Sequence, residues 1–172
     1  SSNPYFWKTI DLVKSLKSGG MNIELLVGVT KGDDDTLTRL VDSGVKLVEI
    51  HTNKRAERYN AAFKVSTGTS DSWILLNHPR SCLQENAFHS LLAQNNSVKW
   101  GAFTHEFDFD HPLLIFTSWW SNSVRGDIKK IFYLDHCLFV RKSLLEKVGG
   151  LPSVEIFEDT ILSLKLGELY QP

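Results

Sequence analysis

Short apolar runs alternate along this chain with segments of helical periodicity, and that alternation points to α/β layering. Ile23 to Val29, Val45 to Ile50, Ser72 to Leu76 and Ile131 to Val140 read as strands of a buried sheet. Phe6, Ile10, Val13 and Leu16 recur at helical spacing until Gly19-Gly20 stops them. Asp33-Asp-Asp-Thr36 offers capping carboxylates to a helix carrying Leu37, Leu40 and Val41, ended near Gly44. Arg55 to Val65 and Leu83 to Ala93 are helical in composition. Residues 98–109 alternate as a strand does, Asp110-His-Pro112 breaks that pattern, and an aromatic helix follows.

At 172 residues the chain can bury the core of one domain and not obviously of two, so residues 1–172 are read as a single domain. Nineteen basic residues against twenty acidic ones leave no global field, which disfavours nucleic acid as a partner. No apolar run reaches the length of a transmembrane span, and no signal peptide is visible. These features are expected of a cytoplasmic protein, free or peripheral to a membrane. Cys82 and Cys137 are neither closely spaced nor numerous, and two buried free thiols in a reducing compartment are expected rather than a disulfide.

The last third carries the most specific order of parts. Tyr133-Leu-Asp-His-Cys-Leu-Phe-Val-Arg-Lys142 is followed by Gly149-Gly-Leu-Pro152 and then by Phe157-Glu-Asp159. Upstream stand Arg55-Ala-Glu-Arg-Tyr-Asn-Ala-Ala62, Leu75-Leu-Asn-His-Pro-Arg80 and Trp100-Gly-Ala-Phe103. Taken together they resemble a short, single-domain family-two glycosyltransferase with the GT-A fold, over roughly Glu24 to Leu169. The resemblance implies a Rossmann-like three-layer sandwich with a mostly parallel central sheet. A chain that opens on a helix and stops soon after the acidic pair would then lack the first strand and the C-terminal extension, as the middle of a longer domain or a reduced member of the family.

The resemblance also implies roles. Asp159, or else Glu158, would be the general base toward an acceptor hydroxyl, at a helix start whose dipole favours a carboxylate. Arg55 has the fixed, permanently charged fork suited to a diphosphate. Asn60 would brace the loop or reach the nucleotide, and Asp135 would orient acceptor or sugar. The strand ending at Leu76 is expected to be central and parallel, with Asn77 to Arg80 at its carboxyl end facing a cleft.

At that strand end relatives carry acids that hold Mn or Mg across the donor phosphates. Here Asn77, His78 and Pro79 supply no carboxylate, so Arg80 would replace the ion's charge, and weak or absent dependence on divalent cations is expected. Gly28 likewise stands where relatives have an Asp, a task open to Asp33, Asp34 or Asp35. The function implied is inverting transfer of a sugar from a nucleoside-diphosphate sugar to an unknown acceptor. The alternatives are a non-catalytic homologue acting as a binding or interaction module and, on weaker grounds, a nucleotidyltransferase.

Overall fold

A computed structural model describes residues 3–29, 34–94 and 96–172, apart from the side chains of Asp34 and Asp35. The capping and donor-contact expectations for Asp33 to Asp35 therefore lie outside the described residues. The elements run α1 (Pro4–Ser18), β1 (Leu26–Val29), α2 (Asp34–Asp42), β2 (Lys46–Glu49), α3 (Arg55–Lys64), β3 (Trp73–Leu76) and α4 (Glu85–Leu92). There follow β4 (Trp100–Ala102), α5 (Pro112–Trp119), a π-helix (Trp120–Ile128), a 3-10 turn (Leu134–His136), β5 (Leu138–Arg141), α6 (Lys142–Lys147) and α7 (Glu158–Leu169).

The chain is mixed α/β, but the expected mostly parallel central sheet is corrected. β1 and β2 pair in parallel, and a separate three-stranded sheet has the order β3-β5-β4 with β5 antiparallel to both neighbours. β3 is thus an edge strand of an antiparallel pair, and β5 is central. The cross-strand partners show why this pairing holds. Trp73 sits opposite Arg141, which stacks on its ring at 3.7 Å, and the Trp73 and Phe139 rings meet edge to face at 5.5 Å.

The last strand is also shorter than its apolar run. Leu134–His136 tightens into a 3-10 turn and Cys137 takes φ 47°, so pairing starts only at Leu138. Residues 98–109 form only the short β4, because Phe103 N–H turns to the His136 carbonyl at 3.0 Å.

The main core joins Ala56, Leu76, Trp100, Leu138, Val140, Leu145, Leu162 and Leu166, so α3, one face of the antiparallel sheet and α7 share one interior. A smaller cluster of Val13, Leu16 and Phe88 seats α1 against α4. Two glycines are fixed by packing. A Cβ on Gly101 would stand 2.7 Å from the Phe139 ring, and one on Gly28 would stand 3.0 Å from Ile50 Cδ1. Gly28 is therefore accounted for by close approach.

α5 is inverted relative to a usual surface helix. Leu113, Ile115, Phe116 and Trp119 are exposed, whereas Ser118 is buried.

Candidate functional site

The strand registers set one common edge. Leu76 at the end of β3 and Ala102 at the end of β4 both pair with Leu138 at the start of β5. The segments after Leu76, after Ala102 and before Leu138 therefore emerge together. They form a cleft of about 1590 Å3, to which α1, α3 and the start of α7 add walls. Its lining includes Lys8, Arg55, His78, Arg80, Phe103, Asp135 and Asp159. Arg80 and Asp159 thus share one cleft, as the motif order implies.

The acidic pair divides its labour. Glu158 is 1% exposed, points inward and does not line the cleft; one carboxylate oxygen, Oε1, accepts from Arg55 Nε, while Oε2 has no partner among the described residues. Asp159 reaches the cleft. Its Oδ2 accepts from Leu134 N–H at 3.2 Å and lies 3.6 Å from an Arg55 Nη, and its Oδ1 accepts from Thr160 N–H at 2.8 Å. The bond to Leu134 ties α7 to the 3-10 turn that presents Asp135. Phe157, at φ 65°, makes the sharp entry into α7.

Arg55 is placed between the carboxylates, and the bond to Glu158 holds its guanidinium above the ordinary arginine range. Its side chain keeps 43% exposure, so part of the fork still faces the cleft. Asn60 braces a loop: its Nδ2 donates to the Leu151 carbonyl at 2.7 Å, its Oδ1 accepts from Leu151 N–H at 2.9 Å, and it does not line the cleft. Asn77 also faces away from the cleft, donating to the Ser81 carbonyl at 3.2 Å, while its own carbonyl accepts from Tyr59 at 2.7 Å. The Tyr59 hydroxyl is pushed well above its usual range by burial.

Asp135 is exposed on the cleft wall. His136 beside it is buried and wired at both nitrogens: Nδ1 lies 3.1 Å from the Phe103 carbonyl, and Nε2 lies 2.7 Å from Ser121 Oγ and 3.0 Å from an Arg125 Nη. A carbonyl only accepts, so the neutral ring carries its proton on Nδ1. Burial pushes its pKa down. Arg125 in turn lies over the Tyr133 ring at 3.5 Å.

His78 was hidden in the sequence as a mere replacement for a metal ligand, yet it stands among Arg80, Arg55, Asp135 and Asp159, whose charges all act on it. Lys8, brought in by α1, had no motif to mark it. The cysteines differ from expectation: Cys137 is buried, its thiol pushed up by burial, but Cys82 is exposed because it lies in the loop between β3 and α4.

A divalent ion bridging phosphates does not fit the donor set. No cluster of three His, Cys, Asp or Glu able to hold a metal occurs among the described residues. The segment after β3, Asn77 to Arg80, carries no carboxylate, and Asp159 already accepts from Leu134 and Thr160 beside Arg55.

No family model matches the chain, and no curated protein matches it. Among solved structures it is similar to the mannosyltransferase PcManGT from Pyrobaculum calidifontis, in complex with GDP-Man and Mn2+, with a TM-score of 0.66 and 14% identity. The match covers 95% of this chain and 48% of that one, so the chain spans about half the length of that neighbour. At this identity the likeness shows the fold alone. No helix among the described residues is long and apolar enough to cross a membrane.

Proposed function

We propose that this chain is a glycosyltransferase-like domain that moves a sugar from a nucleoside-diphosphate sugar to an acceptor hydroxyl with inversion. The observation that carries the reading is the division of the acidic pair: Asp159 reaches a cleft that it shares with Arg55 and Arg80, while Glu158 stays inside. Asp159 takes the acceptor proton as the acceptor oxygen bonds to the anomeric carbon. The bond from that carbon to the phosphate oxygen breaks, and its electron pair leaves with the nucleoside diphosphate. Arg80 and the exposed part of Arg55 face the developing negative charge in place of a metal ion. Asp135 orients acceptor or sugar from the same wall.

The test is release of nucleoside diphosphate from a panel of sugar nucleotides, with simple sugars and alcohols as acceptors. Asp159→Asn should lower turnover by roughly 10²–10⁴-fold, the usual worth of a general base, with donor binding retained. A variant as active as the wild type would remove Asp159 from the chemistry.

A second reading, a non-catalytic homologue that docks a partner, draws on the outward apolar face of α5. It is favoured if the wild type binds no sugar nucleotide.

A further inference from the structure

The apolar face of α5 has nothing to say what covers it, Cys82 is a lone exposed thiol, and the His136 network is closed on itself. His78 is different, because it is half-buried in the cleft with one nitrogen committed and the other open. Arg80 N–H donates to its Nδ1 at 3.2 Å. An Nδ1 that accepts carries no proton, so the neutral ring holds its hydrogen on Nε2. Nε2 has no partner among the described residues, and His78 lines the cleft.

The charged groups facing this ring are Arg80 and Arg55 on one side of the balance and Asp135 and Asp159 on the other. The two arginines disfavour the imidazolium and the two carboxylates favour it. Desolvation, reinforced by the two arginines, holds the ring neutral near pH 7. An incoming diphosphate breaks this balance. Its negative charge favours the imidazolium, as any near anion does.

We infer that His78 is a phosphate-contacting residue of the donor site: with Arg55 and Arg80 it forms an anion cradle at the end of β3, donates its Nε2–H to a diphosphate oxygen, and takes up a proton as the diphosphate binds. The inference rests on the donor-site reading above and adds a residue and a proton to it. The third positive charge is supplied from solvent at the moment the ligand arrives, where a metal ion would otherwise come with it. In the free protein the same ring is uncharged, which spares Arg55 and Arg80 a like-charged neighbour.

The experiment is calorimetric titration with GDP, UDP and inorganic pyrophosphate, without metal, near pH 7 in two buffers of different ionisation enthalpy. The wild type should show net proton uptake, and its affinity should rise by up to about tenfold per unit as pH falls from 7.5 toward 6. His78→Gln keeps a neutral donor and cannot charge, so it should still bind while losing both the buffer dependence and most of the pH response. His78→Ala should bind more weakly than His78→Gln, at unchanged melting temperature. Comparing pyrophosphate with GDP and UDP separates a bare phosphate cradle from one that needs the nucleoside. Equal proton uptake in wild type and His78→Gln, with binding intact, would overturn the role of His78 while leaving the donor site standing. Absence of binding by the wild type to all three ligands would overturn the donor site, and this inference with it.

Discussion

Arg55 serves two carboxylates with one guanidinium, so its removal is a stability event before it is a binding event. Glu158 is buried and would be left charged without a partner. Arg55→Met should cost about 1–3 kcal/mol, below the ~3–5 of a fully buried pair because Arg55 is 43% exposed. Urea unfolding of Arg55→Met, Glu158→Gln and the double variant tests this. The double variant should be more stable than the sum of the singles implies, and strict additivity would show that the two side chains are not coupled. His136 gives the residue scale its pH dependence. Its folded pKa is depressed by burial, so the unfolded chain binds the extra proton. The stability this confers is complete above about 6.5 and is lost as pH falls through the folded value, at up to about 1.4 kcal/mol per unit. His78 acts in the same direction. Unfolding at pH 7.5 and 5.5 should therefore show a loss that shrinks in His136→Asn, and an unchanged slope in that variant would refute the assignment.

The short elements owe their limits to particular contacts, which decides what was readable from sequence. Helix α3 was legible because Arg55 to Val65 has helical composition, and β3 because Ser72 to Leu76 is a compact apolar run. The pairing of β3 was not legible, since apolar runs for parallel and buried antiparallel strands look alike. The antiparallel register brings Trp73 onto Arg141 and Phe139, contacts that the apolar run does not announce. Likewise the motif left Asn60 either to brace a loop or to reach the nucleotide, and only the structure supplies its partner, Leu151, far along the chain. That partnership makes a prediction for the turn before Pro152. Gly150 has φ 75°, and a Cβ there would stand 2.5 Å from Asn60 Oδ1. Gly150→Ala should cost more than the ~1 kcal/mol of a left-handed conformation alone, because the Asn60 brace must shift as well. A melting temperature within a degree of wild type would show that the brace does not hold the turn.

At the scale of the whole molecule, one sheet edge gathers Arg80, Asp135 and Asp159 from segments far apart in sequence, and α3 adds Arg55. The motif order anticipated that gathering for Asp159, Arg80, Arg55 and Asp135. It placed His78 at the cleft only as part of the Asn77 to Arg80 segment, with no role of its own, and it missed Lys8, which no motif marks. Pro79 stands where the resembled family carries a carboxylate, and under the proposed function Arg55 and Arg80 supply the charge that a metal ion would bring. The direct measurement is the affinity for GDP-mannose and UDP-glucose by calorimetry, first with manganese and then with chelator. Dissociation constants equal within threefold are expected for a site that works by Arg55, Arg80 and His78. A gain of tenfold or more with manganese, about 1.4 kcal/mol, would contradict a metal-free donor site.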